Sequence, residues 1–287
     1  MVTWITILIT LLASLIPLFL GMFVIKRFPL KIASLLTVLS LWGITLYSFT
    51  TLLETNSPHE QEAKLWLCTM ATFAMPFWYH LTSLLLPPTI SPKRKIMTRF
   101  GIPFAYNCLL FTTAGGALII EGDRYISPLY PILILLVLAL GCLSVWNLWD
   151  RHRYEDKKQL AVLRIAAISI NIKWNRFTLL MIGTASIHLG GIIQGLSELT
   201  WWRGDGPMII GFGLETIGAI FFLRPLAQPT TLNPIPTSNP DTLPPGWVVG
   251  LPTTIYALLG LFLLRNDFNS AFGFNSSNSA SSSWIFS

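Results

Sequence analysis

Long runs of apolar residues, separated by short polar or charged stretches, make up most of the chain. A helix needs about 20 such residues to cross a bilayer, and a spanning helix satisfies its own backbone hydrogen bonds. The pattern therefore predicts an all-α, polytopic bundle of seven or eight transmembrane helices. The predicted spans are residues 4–25, 32–53, 64–86, 100–120, 128–149, 177–199, 206–224 and 247–264.

The composition supports a membrane environment. Hydrophobic residues make up 53% of the 287 residues, charged residues make up 11%, and the mean hydropathy is +0.61. A soluble globular domain usually has about 25% charged residues. The low charged fraction excludes an ordinary soluble protein and predicts that most of the surface contacts the lipid bilayer.

The basic residues are unevenly divided between the two alternating sets of loops. Fifteen of the 19 Lys and Arg residues lie in one set, and most acidic residues lie in the other. Because an excess of Lys and Arg marks the cytoplasmic side, the pattern places the N-terminus outside. The net charge of +6 resides in these short loops. We therefore expect contacts with anionic lipid and no nucleic-acid partner.

Four segments differ in composition. Residues 1–225 form the predicted seven-helix transmembrane domain, and residues 226–246 form a proline-rich cytoplasmic linker. Residues 247–264 are just long enough for an eighth transmembrane helix, with a re-entrant or interfacial segment as the alternative. Residues 265–287 are rich in Asn and Ser and predict a disordered tail unless a partner holds them.

The longest loop between predicted spans covers residues 150–176. It begins with a charged run from Arg151 to Lys158 and continues with apolar residues among further basic ones. This alternation favours a cytoplasmic amphipathic helix lying at the membrane interface. A simple linker between the fifth and sixth helices is the alternative.

Glu215 and His188 are the leading candidates for ligand binding or proton relay. Each lies near the middle of an apolar span, where an ionisable side chain is costly and typical of a functional site. At about 1.5 Å per residue, they lie roughly 14 and 16 Å from the cytoplasmic ends of their helices. These similar depths predict a His188–Glu215 hydrogen bond or ion pair, which could also be purely structural.

Two further features allow alternative interpretations. His188 and His80, within predicted spans, could ligate haem or a chlorophyll magnesium, with Ala185, Gly190 and Gly191 leaving room near His188. Gly191 and Gly195 form a GxxxG spacing that predicts close helix packing, either within the chain or with another subunit.

The chain lacks the sequence motifs of the common enzyme classes. It has no phosphate-binding loop, no GxSxG and no HExxH, and its polar segments are short. The three cysteines all lie in apolar runs and form no CxxC pair. We therefore expect no catalytic residues and no metal site, and the cofactor, if there is one, is unknown.

One block of the chain resembles a known family. The residues that suggest it are Pro76 to Leu81, the Leu86-Pro87-Pro88 end of the third span, and the basic segment Arg151 to Arg176. From Trp66 to about Leu226, the chain resembles the N-terminal seven-helix sensor region of some bacterial membrane histidine kinases. In that family the seventh helix leads to a cytoplasmic kinase, whereas here a proline-rich segment follows.

The resemblance implies a sensor-like module without its kinase, in the inner membrane of a bacterium. The leading hypothesis is a non-enzymatic sensor-like or accessory subunit that acts through helix contacts with a membrane protein partner. A pigment-, quinone- or haem-binding subunit of a photosynthetic or respiratory complex is the second hypothesis. A small proton-linked transporter using Glu215 is the third.

Overall fold

The computed structural model describes residues 4–29, 31–51, 67–114, 120–121, 124–125, 127–166, 175–199, 205–228 and 231–232. In this part of the chain there are seven helices and one short β-hairpin. The helices are α1 (Trp4–Arg27), α2 (Ile32–Thr50), α3 (Ala74–Leu84), α4 (Pro92–Ala114), α5 (Tyr130–Ala166), α6 (Arg176–Leu199) and α7 (Asp205–Leu226). The hairpin pairs β1 (Ile120–Glu121) with β2 (Arg124–Tyr125) in antiparallel register.

The all-α prediction is confirmed for these residues. Helical residues 67–72 precede α3, and a turn at Phe73 separates the two helical stretches. Most of the predicted linker, the predicted eighth helix at 247–264 and the predicted tail at 265–287 lie outside the described residues.

Side chains at the helix starts stabilise two of the boundaries. At the start of α2, the backbone N–H of Lys31 donates to Ser34 Oγ over 2.9 Å. At the start of α6, the backbone N–H of Phe177 donates to Asn175 Oδ1 over 3.1 Å. Each bond satisfies a backbone N–H that has no partner within its own helix, which is the usual role of a capping residue.

Six helices form a closed ring, and the seventh packs outside it. Around the ring, α1 packs on α2, α2 on α3, α3 on α5, α5 on α6, α6 on α7, and α7 on α1. Helix α4 packs against α3 and α5 from outside. The interior of the ring is therefore enclosed by helices from both halves of the sequence.

Several polar side chains are buried between the helices, and several large apolar side chains are exposed on the outer surface. Thr37, Ser48 and Asn147 have no exposed surface, while Phe104 and Phe111 on α4 are 66% and 69% exposed. Five helices, namely α1, α2, α5, α6 and α7, are long and apolar enough to cross a membrane. These features identify an integral, multi-pass membrane protein in contact with the lipid bilayer.

The prediction of a separate amphipathic helix at residues 150–176 is wrong for its first half. Helix α5 continues without a break to Ala166, so it has 37 residues and is about 55 Å long. That exceeds the roughly 30 Å apolar core of a bilayer, and the charged end extends the spanning helix. Arg151 and Arg176 both approach Glu155, at 2.9 and 3.7 Å, and tie this end to the start of α6. Residues 167–174 lie outside the described part.

Candidate ligand-binding site

A cavity of about 100 Å³ lies inside the ring of helices. Its walls come from α2, the segment around residues 68–75, α5, α6 and α7, and they are mostly apolar. The lining residues are Gly43, Ile44, Tyr47, Cys68, Ala71, Thr72, Ala74, Met75, Tyr130, Leu133, Ile134, Val137, Ile187, Gly191, Ile192, Gly195 and Glu215. An apolar cavity of roughly 150 Å³ in another protein binds benzene, so this volume is of the order needed for a small molecule.

Glu215 supplies the carboxyl group in the wall of this main cavity. It lies on α7 and is 3% exposed. Gln194 on α6 donates from Nε2 to Glu215 Oε1 over 3.4 Å, and Ser48 Oγ on α2 lies 3.3 Å from Glu215 Oε2. None of the ion pairs found among the described residues involves Glu215. The carboxyl group is therefore held by two neutral polar side chains from two other helices.

The Ser48 hydroxyl can serve either protonation state of Glu215. Its single hydrogen has two acceptors in reach, Ile44 O on its own helix at 3.0 Å and Glu215 Oε2 at 3.3 Å. When the hydrogen points to Glu215, the hydroxyl donates to a carboxylate. When it points to Ile44, the hydroxyl oxygen can accept from a carboxylic acid.

The predicted His188–Glu215 pair is wrong. His188 Nδ1 bonds to the backbone carbonyl of Thr184 over 2.8 Å, and its Nε2 has no hydrogen-bond partner. The imidazole packs on α5 at Gly141, where an added Cβ would lie 2.5 Å from His188 Cδ2. His188 lines a separate, small cavity of about 10 Å³, and Glu215 lines the main cavity.

The two histidines proposed as pigment ligands face different helices. His80 is fully buried, and its Nδ1 lies 3.3 Å from the Tyr106 hydroxyl on α4. His188 instead packs on α5, in a cavity of about 10 Å³. Gly190 leaves no free room, because an added Cβ would lie 2.5 Å from Gly211 O. A tetrapyrrole, a drug-sized ligand or larger, needs several hundred Å³, so it does not fit at His188.

Gly191 and Gly195 lie on the wall of the main cavity, where Gly195 faces α5. An added Cβ at Gly195 would lie 3.2 Å from Ile134 Cγ1, whereas at Gly191 the nearest atom is Glu215 Oε1 at 3.9 Å. Both contacts are within the chain. Backbone contact between α6 and α7 instead uses other glycines. An added Cβ at Gly183 would lie 2.7 Å from Gly218 O, and one at Gly190 would lie 2.5 Å from Gly211 O.

Sequence reasoning did not single out Gln194 and Ser48. Gln194 had a detectable signal, because an amide side chain within an apolar span usually needs a hydrogen-bond partner. Ser48 had none, since several hydroxyl side chains in these helices bond only to a carbonyl of their own helix, as Thr37 does with Ala33 O at 2.7 Å.

Comparison with known proteins gives no match to a family model, a curated protein or a solved structure. Within the described ranges, no group of three or more His, Cys, Asp or Glu side chains is placed to hold a metal ion. The main cavity with Glu215 is therefore the site on which a functional argument can be built.

Proposed function

We propose that this chain is a non-enzymatic, sensor-like membrane subunit that binds a small ligand in its main cavity. The ligand is largely apolar and presents one hydrogen-bond donor to Glu215. The observation that supports this most is the placement of a single buried carboxyl group in the wall of a mostly apolar cavity. Small-molecule sites commonly combine apolar walls with a few polar groups that fix orientation.

The hydrogen bonding of Glu215 favours a role in ligand binding over a purely structural role. Its two partners, Gln194 and Ser48, lie at 3.4 and 3.3 Å, which is long for bonds to a carboxyl group. Each carboxyl oxygen can accept more than one bond. Glu215 therefore retains capacity for a donor from a molecule in the cavity beside it.

We further propose that all seven helices cross the bilayer of a bacterial inner membrane, with the N-terminus outside. Helix α3 is a member of the closed ring and, with the helical residues 67–72 before it, covers residues 67–84. Helix α4 has strongly exposed Phe100, Phe104 and Phe111 on its outer side. Both observations favour the same lipid surroundings for α3 and α4 as for the five longer apolar helices. The uneven loop charge supports the orientation.

The resemblance to kinase sensor regions favours a second membrane protein as the partner of this chain. In this proposal, occupancy of the cavity changes the packing of the ring, and a membrane protein partner responds through helix contacts. Extraction of the chain from its native membrane in a mild detergent tests this part. We expect a second membrane protein to co-purify in fixed proportion, and a chain that elutes alone would contradict it.

Phenol and benzene are suitable probes of ligand binding because they share a ring and differ in one hydrogen-bond donor. The full chain in mild detergent is unfolded thermally with each probe, and Glu215→Gln serves as the variant of matched shape. We expect phenol to raise the Tm of the wild type more than benzene does. The substitution should reduce that difference, because the amide keeps one acceptor oxygen where the carboxyl group has two. Equal shifts for the two probes, or a difference that Glu215→Gln leaves unchanged, would overturn the proposed role of Glu215.

A further inference from the structure

The exposed side of α5 changes from apolar to basic along the helix. Its exposed residues recur at spacings of three, four or seven positions, so they lie on one side of the helix. We call this surface the α5 stripe. It includes Leu135, Cys142, Trp146, Trp149, Arg153 and Lys157. An order of apolar, aromatic and basic residues along a helix is typical of a surface that passes from the lipid core to the headgroups.

The dimensions of the α5 stripe match the layers of a bilayer. At about 1.5 Å per residue, the part from Leu135 to Trp149 is about 21 Å long, which fits within a hydrocarbon core of roughly 30 Å. Trp146 and Trp149 are 50% and 40% exposed at the end of this part. Arg153 and Lys157 lie about 6 and 12 Å beyond Trp149 along the helix axis. Their long side chains are therefore within reach of the headgroup layer.

The two basic residues of the α5 stripe have no acidic partner among the described residues. Both are exposed, and none of the ion pairs in this part of the chain includes Arg153 or Lys157. The three acidic residues at this end of α5 each have a partner, namely Arg94 at 3.9 Å for Asp150, Arg151 at 2.9 Å for Glu155 and His152 at 3.1 Å for Asp156. The stripe therefore carries two positive charges that these acidic groups leave unmatched.

The tryptophans of the α5 stripe lie directly beside guanidinium groups. Arg153 Cζ is 5.8 Å from the centre of the Trp149 ring, and Arg94 Cζ, at the start of α4, is 3.7 Å from the centre of the Trp146 ring. Arg94 is buried and donates to Asn147 Oδ1 over 2.9 Å, which fixes the start of α4 beside the stripe. Arg153 is exposed, and a guanidinium group offers a planar set of donors that suits a phosphate group.

We propose that the α5 stripe binds one anionic phospholipid, in addition to the general contact of the basic loops with anionic lipid. Arg153 and Lys157 hold the phosphate group, and an acyl chain lies along the apolar part of the stripe. The unmatched positive charges favour an anionic headgroup, and the adjoining apolar surface favours a lipid over a free phosphate ion. The site is separate from the main cavity, because Val137, which lines that cavity, lies about 200° around the helix from Leu135.

The test compares dioleoyl phosphatidylglycerol with dioleoyl phosphatidylcholine, which has the same acyl chains and no net charge. Native mass spectrometry of the full chain in a non-ionic detergent gives the dissociation constant of the first bound lipid. We expect phosphatidylglycerol to bind at least about ten-fold more tightly. Arg153→Gln combined with Lys157→Gln should reduce this preference to within about two-fold. Lys26→Gln combined with Arg27→Gln is the matched control, because it removes two exposed basic residues at the end of α1 and should keep the preference.

Three results would overturn this lipid site. One is equal binding of the two lipids by the wild type, which decides the question even if a variant unfolds. Another is an equal loss of preference in both double variants, which would assign the selectivity to overall charge. The third is complete displacement of phosphatidylglycerol by sodium phosphate at an ionic strength matched with sodium chloride, which would assign the basic pair to free phosphate. Phenol binding in the main cavity should be the same in the wild type and both double variants, so the proposed function is tested separately.

Discussion

Gly190 and Gly191 are neighbours on α6, yet they serve opposite purposes. An added Cβ at Gly190 would lie 2.5 Å from Gly211 O, against the backbone of α7. An added Cβ at Gly191 would lie 3.9 Å from its nearest neighbour, Glu215 Oε1, and both residues line the main cavity. One glycine allows two helices to touch, and the next keeps a space open. Gly190 therefore lies on the side of α6 that packs against α7, and Gly191 lies on the side that lines the cavity.

The packed side forms a regular seam between α6 and α7, which we call the glycine seam. It consists of Gly183 and Gly190 on α6 with Gly218 and Gly211 on α7. Glycines in each helix are seven residues apart, two turns, and the helices run in opposite directions. Small residues that allow close backbone approach are a common basis of helix association in membranes. The seam fixes α7, and with it Glu215, against α6.

The largest loss of stability is expected from substitutions at Gly183 and Gly218, because each of these glycines lies against the backbone carbonyl of the other. An added Cβ at Gly183 would lie 2.7 Å from Gly218 O, and one at Gly218 would lie 2.6 Å from Gly183 O. Because neither backbone can move easily, Gly183→Ala or Gly218→Ala should destabilise the fold by about 3 kcal/mol, the upper part of the usual range for overpacking. Gly213→Ala, where nothing lies within 4 Å, is the matched control for thermal unfolding. A seam variant as stable as this control would contradict the contact.

A smaller effect should distinguish the two neighbouring glycines themselves. Gly190→Ala places a Cβ against Gly211 O and 3.1 Å from Glu215 Cγ, so we expect a loss of about 1–3 kcal/mol. Gly191→Ala adds its methyl group to free space and should change stability by less than about 0.5 kcal/mol. Thermal unfolding of the two variants in the same detergent measures both values. Equal destabilisation by the two substitutions would contradict the assignment of Gly190 to a packed side of α6 and Gly191 to a cavity side.

The smallest effect concerns the hydrogen bonds that position Glu215. Ser48→Ala removes the hydroxyl 3.3 Å from Glu215 Oε2, and we expect a loss of about 0.5–1.5 kcal/mol in unfolding free energy. Ser40→Ala is the control, because Ser40 is also buried on α2 but bonds only to Leu36 O. The Ser48 variant should also weaken phenol binding, and the Ser40 variant should not. A larger loss at Ser40 than at Ser48 would argue against a role for Ser48 in the site.

The sequence predicted where the helices begin and end better than it predicted which neighbour each side of a helix faces. The predicted spans at 4–25 and 177–199 differ from α1 and α6 by no more than two residues at either end, because long apolar runs are an unambiguous signal. The His188–Glu215 pair failed because depth along a helix does not specify direction around it. Each residue turns the side chain by about 100°. That turn directs His188 towards Gly141 on α5, while Gly190 and Gly191 face Glu215.

Two other differences have related causes. The Gly191–Gly195 spacing is a pattern within one helix. The glycine seam is a pattern across two helices, and it can be recognised only when the glycines of α6 and α7 are aligned in opposite directions. The charged run from Arg151 predicts the start of a new, interfacial helix. A change from apolar to charged residues marks the end of the lipid region, and α5 continues through it to Ala166.

The most direct test of the cavity as a ligand site fills it without disturbing the seam. Gly191→Val places two methyl groups beside Glu215, and Gly213→Val adds the same side chain on α7 where nothing lies within 4 Å. The dissociation constant of phenol is measured by calorimetry for the wild type and both variants in mild detergent. We expect binding by the wild type and by Gly213→Val within about two-fold of each other, and at least about ten-fold weaker binding by a folded Gly191→Val, since about 1.4 kcal/mol corresponds to ten-fold. Phenol binding that Gly191→Val leaves unchanged would contradict the placement of the ligand in the main cavity.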